Sequence, residues 1–195
     1  MRYIAILLAV AFLHGTLAAQ HIETLVRGND EWSFFIQPEL KTTRISDKSA
    51  QLMGLRLGPA LDRTLHLGLA GYALISSIDP DSVVYKRLTT FDLWAVGLTM
   101  DYTFIPNRWL HPGIGCFIGG GQISAGRHDP DASRENATLF FIEPQANLMF
   151  NLTKTLELGL GVSYRFINGS DIRQLADSDL SGMTGSVFLR WTEMP

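Results

Sequence analysis

The sequence predicts an all-β fold, an eight-stranded antiparallel up-and-down transmembrane β-barrel, and three observations carry that prediction. The first is a period-two alternation, clearest from Leu156 to Phe166. There Leu156, Leu158, Leu160, Val162, Tyr164 and Phe166 alternate with Glu157, Gly159, Gly161, Ser163 and Arg165. Successive side chains of a strand point to opposite faces, so one face of this segment is apolar and the other polar. The second observation is that the links between such segments alternate between short and long. The third is a leader ahead of them all. Apolar side chains facing lipid and polar ones facing a lumen account for the alternation.

The leader is Met1-Arg2, an apolar run from Tyr3 to Leu13, and the small-residue exit Leu17-Ala18-Ala19. A single early charge, a short apolar core and small residues at the exit predict a secretory signal peptide over residues 1–19, cleaved after Ala18 or Ala19. The run is shorter than the roughly 20 residues a spanning helix needs. Residues 20–195 then form one barrel domain.

The strands are read in order. The first, Glu31 to Leu40, puts Trp32, Phe34, Ile36, Pro38 and Leu40 on one face. Gln51 to Gly58 aligns Met53, Leu55 and Leu57 against Gly54 and Arg56, and Thr64 to Leu74 aligns Leu65, Leu67 and Leu69 against His66, Gly68, Ala70 and Tyr72. Phe91 to Phe104 sets Trp94, Val96, Leu98, Met100, Tyr102 and Phe104 against Ala95, Gly97, Thr99, Asp101 and Thr103. Trp109 to Gln122 carries Leu110, Ile114, Cys116 and Ile118 on its apolar face and concentrates Gly113, Gly115, Gly119, Gly120 and Gly121, which are expected to line the lumen, make room for Phe117 or let the sheet bend. Thr138 to Leu152 sets Phe140, Ile142, Ala146, Leu148 and Phe150 against Glu143, Gln145, Asn147 and Asn151. Leu156 to Phe166 follows, and Gly182 to Trp191 sets Met183, Val187, Leu189 and Trp191 against Thr184, Ser186, Phe188 and Arg190.

Pro38, Pro112 and Pro144 interrupt this pattern. Proline cannot donate to a ladder, so each is expected near a strand end or a bulge. The short links are residues 59–63, 105–108 and 153–154; the long ones are Lys41–Ala50, Ile75–Thr90, Ile123–Ala137 and Ile167–Ser181. Four long and three short links in strict alternation suit eight strands with both ends on the short-turn side. Two aromatic girdles agree: Trp32, Phe104, Trp109, Phe150 and Trp191 towards the turns, and Phe91, Trp94, Phe140, Tyr164 and Phe166 towards the loops.

These residues resemble those of the small eight-stranded outer-membrane barrels, the group that includes the membrane domain of outer membrane protein A and outer membrane protein X. The stretch Gly161-Val162-Ser163-Tyr164-Arg165-Phe166 is similar to their assembly signal, although here one more strand follows it. A further likeness, over Phe141 to Trp191, is to uncharacterised barrel proteins of Bacteroidetes-type bacteria. The resemblance implies a Gram-negative outer-membrane location, contact with outer-membrane lipid and the barrel-assembly machinery, and a monomeric state. It transfers no catalytic residue.

The inward positions collect a polar cluster: Glu31, Glu39, Asp101, Glu143 and Glu157 as acids, Arg56, Arg165 and Arg190 as bases, with His66 and His111 beside them. Eight strands leave an interior just wide enough for side chains to fill it. Buried charges need partners, so the expected role of this cluster is a salt-bridged plug. A narrow ion or small-solute channel is the alternative. A lipid-modifying enzyme is a further one, and loss of activity in His111→Ala would test it.

Other chemistry is weakly supported. A net charge of −3 with 18% charged residues offers no basic patch for nucleic acid. One cysteine, Cys116, excludes an intramolecular disulfide and a cysteine-rich metal site. No cofactor or metal is expected. The aspartates Asp79, Asp81, Asp177 and Asp179 match no calcium-loop spacing, and the strand-five glycines lack the lysine and helix of a phosphate loop. His128, with Arg127, Asp129, Asp131, Arg134 and Glu135, reads as a solvated loop. Any specific ligand is therefore expected at the four long loops.

Overall fold

The computed structural model describes residues 31–45, 48–76, 88–127, 135–169 and 177–193. The leader and the residues up to 30 lie outside that set, as do Asp79, Asp81, His128, Asp129, Asp131 and Arg134. The eight strands are β1 (Trp32–Ile45), β2 (Lys48–Leu61), β3 (Leu65–Leu74), β4 (Leu88–Thr103), β5 (Leu110–Arg127), β6 (Glu135–Asn151), β7 (Leu156–Asn168) and β8 (Gly182–Thr192). One short helix, α1 (Asp177–Leu180), precedes β8. Every strand pairs antiparallel with its sequence neighbours, and β1 pairs with β8 to close the barrel.

The faces follow the alternation. Leu98 is 65% exposed and Trp109 72%, while Arg56 and Arg190 are fully buried. Trp32, Trp94, Phe104, Phe140, Tyr164, Phe166 and Trp191 also stand on the outside, and Phe150 is half-buried. The side chain of Phe91 lies outside the described set. On β4 the exposed apolar stretch runs from Trp94 to Phe104, close to the 9–11 residues a tilted strand needs to cross a bilayer.

The strands continue past that belt on the loop side, and their hydrophobic phase reverses there. On β6, Phe140 and Ile142 face out and Glu143 and Gln145 face in. A few residues earlier Asn136 and Thr138 face out while Ala137 and Leu139 are buried. The same exchange occurs on β1, where Thr42 and Arg44 are exposed and Ile45 is buried. It recurs on β2 (Ser49 and Gln51 against Ala50 and Leu52) and on β4 (Asp92 against Leu93). Ile45, Leu52, Leu93, Ile123, Leu139, Phe141, Ile167 and Leu180 of α1 form an apolar core inside this raised rim. Here the wall buries its apolar side chains inward, as a soluble barrel does.

Three expectations change. The link Lys41–Ala50 is not a long loop: β1 and β2 run on to leave only residues 46 and 47 between them. The outward apolar pattern stops at Leu40 because the phase reverses, not because the strand ends. Gly120 faces outward, whereas Gly113 and Gly121 are buried in the interior. Among the described residues the ladders show one register shift, between Leu88 and Thr90 on β4, and none at the strand prolines; Pro112, third residue of β5, does lie near a strand end as expected. Pro38 and Pro144 instead sit mid-strand where one of the two ladders skips pairs: β1–β8 passes from Ile36↔Trp191 to Glu39↔Phe188, and β6–β7 from Ile142↔Phe166 to Gln145↔Ser163. The missing N–H is absorbed by a local gap in one ladder while the other stays intact.

Glycines make the interior fit. A Cβ on Gly54 would meet the Tyr72 ring, and one on Gly115 would meet Asp101 and Gln145. Gly97 and Gly119 are cross-strand partners, and a Cβ on either would meet the backbone of the opposing strand. The two backbones therefore approach here more closely than a side chain would allow.

Candidate functional site

The middle of the lumen is organised by Arg56 of β2. Its Nε donates to Glu39 Oε2 at 2.9 Å and to Tyr72 Oη at 2.6 Å, and its terminal nitrogens donate to Thr99 Oγ1 (3.2 Å), Asp101 Oδ2 (3.2 Å) and Gln145 Oε1 (2.6 Å). Tyr72 Oη donates in turn to Glu39 at 2.9 Å, and Gln145 Nε2 donates to Asp101. One guanidinium thus ties together β1, β2, β3, β4 and β6. Five donors in a planar fork suit this use better than a lysine would.

Towards the loops, Lys41 Nζ donates to Glu143 Oε1 at 2.6 Å, and Ser163 Oγ donates to the same oxygen at 2.6 Å. Arg165 donates from Nε to the Leu180 carbonyl at 3.0 Å and from a terminal nitrogen to Thr43 Oγ1 at 3.2 Å. Arg165 thereby holds α1 over the loop-side mouth, with the Leu180 side chain buried in the apolar core of the rim.

Towards the turns, Arg190 Nε donates to Gln37 Oε1 at 2.7 Å, and its terminal nitrogens lie 3.9 Å from Asp101 Oδ2 and 3.8 Å from Glu157 Oε2. Arg63 donates to Glu157 Oε1 at 2.7 Å and to Asn151 Oδ1 at 3.0 Å. Asn151 Nδ2 donates to the carbonyls of Pro106 (2.8 Å) and Arg108 (2.7 Å), so the three turns are laced to one another. The turn that presents Arg63 is strained: Asp62 and Arg63 both have positive φ, at 51° and 57°. A left-handed conformation costs about 1–2 kcal/mol per non-glycine residue.

Of the sequence-derived cluster, Glu39, Arg56, His66, Asp101, His111, Glu143, Glu157, Arg165 and Arg190 are all buried in the interior. Glu31 is not among them. It precedes the first paired residue of β1 and is exposed, its backbone N–H bonded to Asp62 Oδ1 at 3.0 Å. At the rim its carboxylate keeps its hydration, which burial would have removed. The sequence reading missed Lys41 and Arg63 because both were assigned to links. It missed Tyr72, Thr99 and Gln145 because only formally charged side chains and histidines were collected.

His111 Nδ1 lies 3.0 Å from the Arg108 carbonyl, and its Nε2 is 3.9 Å from Glu157 Oε1. His66 stacks edge-on against Phe35 with ring centroids 5.1 Å apart. Among the described residues neither histidine hydrogen-bonds a serine hydroxyl, and no group of three or more His, Cys, Asp or Glu is arranged to hold a metal.

No protein family matches the sequence, and no curated protein matches it. Solved structures do. Neisserial surface protein A is similar with a TM-score of 0.58 at 14% identity, over 84% of this chain and 98% of that one. Ail, the attachment invasion locus protein of Yersinia pestis, crystallised with the heparin analogue sucrose octasulfate, is similar with a TM-score of 0.50 at 14% identity, over 84% and 99%. At this identity the likeness is one of fold: the chain has the closed eight-stranded barrel of small outer-membrane proteins.

Proposed function

We propose that the chain is an integral outer-membrane barrel that acts at the cell surface by recognition, with a lumen closed to solutes. The observation that supports it best is the exposed apolar belt with its reversal of phase above. An exterior carrying Leu69, Trp94, Leu98, Leu160 and Phe166 in water would be a large aggregation-prone patch, whereas in lipid it is the favourable face. Above it, the raised rim offers a polar outer wall and a core of its own, a rigid platform for loops. The kinship of Phe141 to Trp191 with Bacteroidetes-type barrel proteins belongs to the same proposal and rests on sequence likeness alone.

Closure of the lumen is favoured by the Arg56 layer, whose groups are all partnered, and by α1 across the loop-side mouth. A conducting path would need Arg56, Glu39 and Asp101 to part. Contact with outer-membrane lipid and assembly by the outer-membrane machinery follow from the fold proposed, and no catalytic role is assigned.

The test has two stages. The outer-membrane fraction, run on a gel boiled and unboiled, should give a band that shifts on boiling; soluble protein without a shift overturns the membrane assignment. Purified barrel in planar bilayers should then give no unitary conductance, whereas steady openings would favour the channel. Sulfated glycans, the class seen with Ail, are the first surface ligands to titrate against intact cells.

A further inference from the structure

The interior has two polar zones that differ in one respect. Around Arg56 every buried polar side-chain atom has a hydrogen-bond partner. On the turn side many do not. Among the described residues, and apart from Asn147 Oδ1, the buried side-chain atoms left without a hydrogen-bond partner belong to residues at this end, including both ring nitrogens of His66, Gln37 Nε2, Thr192 Oγ1, Glu157 Oε2 and a terminal nitrogen of Arg190. They form one neighbourhood: His66 packs on Phe35, whose ring lies 5.8 Å from the Arg190 guanidinium, and Arg190 reaches both Gln37 and Glu157. Buried polar groups are almost always paired with protein or with water, so a concentration of orphans needs a polar occupant.

From this concentration we infer that the turn-side end of the lumen is a closed vestibule holding ordered water, separated from the periplasm by Arg63. The proposal rests on the barrel reading above. Donors and acceptors are both represented, since Gln37 Nε2 and the Arg190 nitrogen can only donate and the Glu157 oxygen can only accept. Water does both. His111 donates from Nδ1 to the Arg108 carbonyl, and its Nε2, 3.9 Å from Glu157 Oε1, is another of the buried atoms without a hydrogen-bond partner. The charges of the zone balance those of the adjoining layer. Arg63 and Arg190 exceed Glu157 by one, and Glu39 and Asp101 exceed Arg56 by one, so the combined set does not demand a bound anion.

Arg63 is 21% exposed, sits between solvent and Glu157, and is held by the strained turn and by Asn151. Its release would open the vestibule to the periplasm without touching the Arg56 layer. The result would be a blind, hydrated pocket and not a through-channel.

The test compares two threonines on the lumen face of the same strand, Thr192 and Thr184, both buried. Each is replaced by cysteine in a Cys116→Ser background and treated, in the folded barrel, with a small water-soluble methanethiosulfonate. The Thr192→Cys thiol should react more than about tenfold faster than the Thr184→Cys thiol, as a hydrated site with local access does. Adding Arg63→Ala should raise the Thr192→Cys rate again and leave Thr184→Cys unchanged. Equal, slow rates at both positions, with or without Arg63, overturn the vestibule. If Thr192→Cys does not fold, magnetisation transfer from water to the His66 ring in wild-type barrel in nanodiscs decides: transfer supports the vestibule and its absence overturns it. A single bromide or iodide site found there by anomalous diffraction would instead make it an anion site. Heat-shifted mobility retained in every variant keeps failure of this proposal distinct from failure of the barrel assignment.

Discussion

Ile142 and Leu139 lie on the same strand, are equally apolar, and face opposite ways: Ile142 is 39% exposed and Leu139 is 1%. The strand has not slipped between them, since β5–β6 keeps one register from Leu110↔Phe150 to Ala125↔Glu135. What changes is the surrounding medium. Within the belt, lipid rewards an apolar exterior and the lumen must be filled with paired polar groups. In the raised rim, water is outside and the apolar groups turn in. One continuous wall therefore obeys two opposite burial rules, and on the membrane reading proposed above the level where they exchange is the loop-side boundary of the lipid.

The most damaging way to break this comparison is inside the belt. Arg56→Ala should destabilise the folded barrel by about 3–5 kcal/mol, because it leaves Glu39 and Asp101 buried without their shared cation. Urea titration of heat-shifted protein in liposomes measures it, and a loss below 1 kcal/mol would contradict the plug. On the outer face of the belt, Leu98→Arg should cost about 2–4 kcal/mol in the same assay. In the rim the vulnerable face is the inner one. Leu139→Ala should lose roughly 2–3 kcal/mol by leaving a cavity in the apolar core.

The two smallest effects sharpen the contrast. His66→Phe, which removes two unpartnered nitrogens and keeps a ring against Phe35, should change stability by less than about 1 kcal/mol in either direction. Thr138→Arg, on the outer wall of the rim, should stay within about 0.5 kcal/mol. An arginine tolerated at 138 and refused at 98 would map the membrane boundary directly. Equal tolerance would mean the belt is not in lipid.

Within the belt the fold was legible because each strand shows strict alternation, as at Leu156–Phe166. The rim was not, because the reading tracked one signal, apolar residues on the outer phase. Where that signal stopped, at Leu40 or before Thr138, the strand was ended, although alternation continued with its sign reversed. Lys41 and Thr43 were lost to a loop that does not exist for this reason. A serine at Gly97 looks harmless on a lumen face, yet its Cβ would meet the carbonyl of Ile118 on the neighbouring strand. How closely two strands approach depends on how the wall curls, and no local pattern encodes that.

Strand number, strand order, the outward-facing apolar side chains and nearly all the charges that line the lumen were legible in the chain. Each of these follows from local alternation, which survives even where the expected long link between β1 and β2 shrinks to two residues. Only the closed barrel decided the partners. Arg56 meets Asp101 and Gln145, and Lys41 meets Glu143, across sequence separations of 45, 89 and 102 residues. Such pairings are fixed by the stagger of the ladders around the barrel. The same closure decided which polar atoms remain unpartnered, and it placed them at the turn-side end, against the latch formed by Arg63.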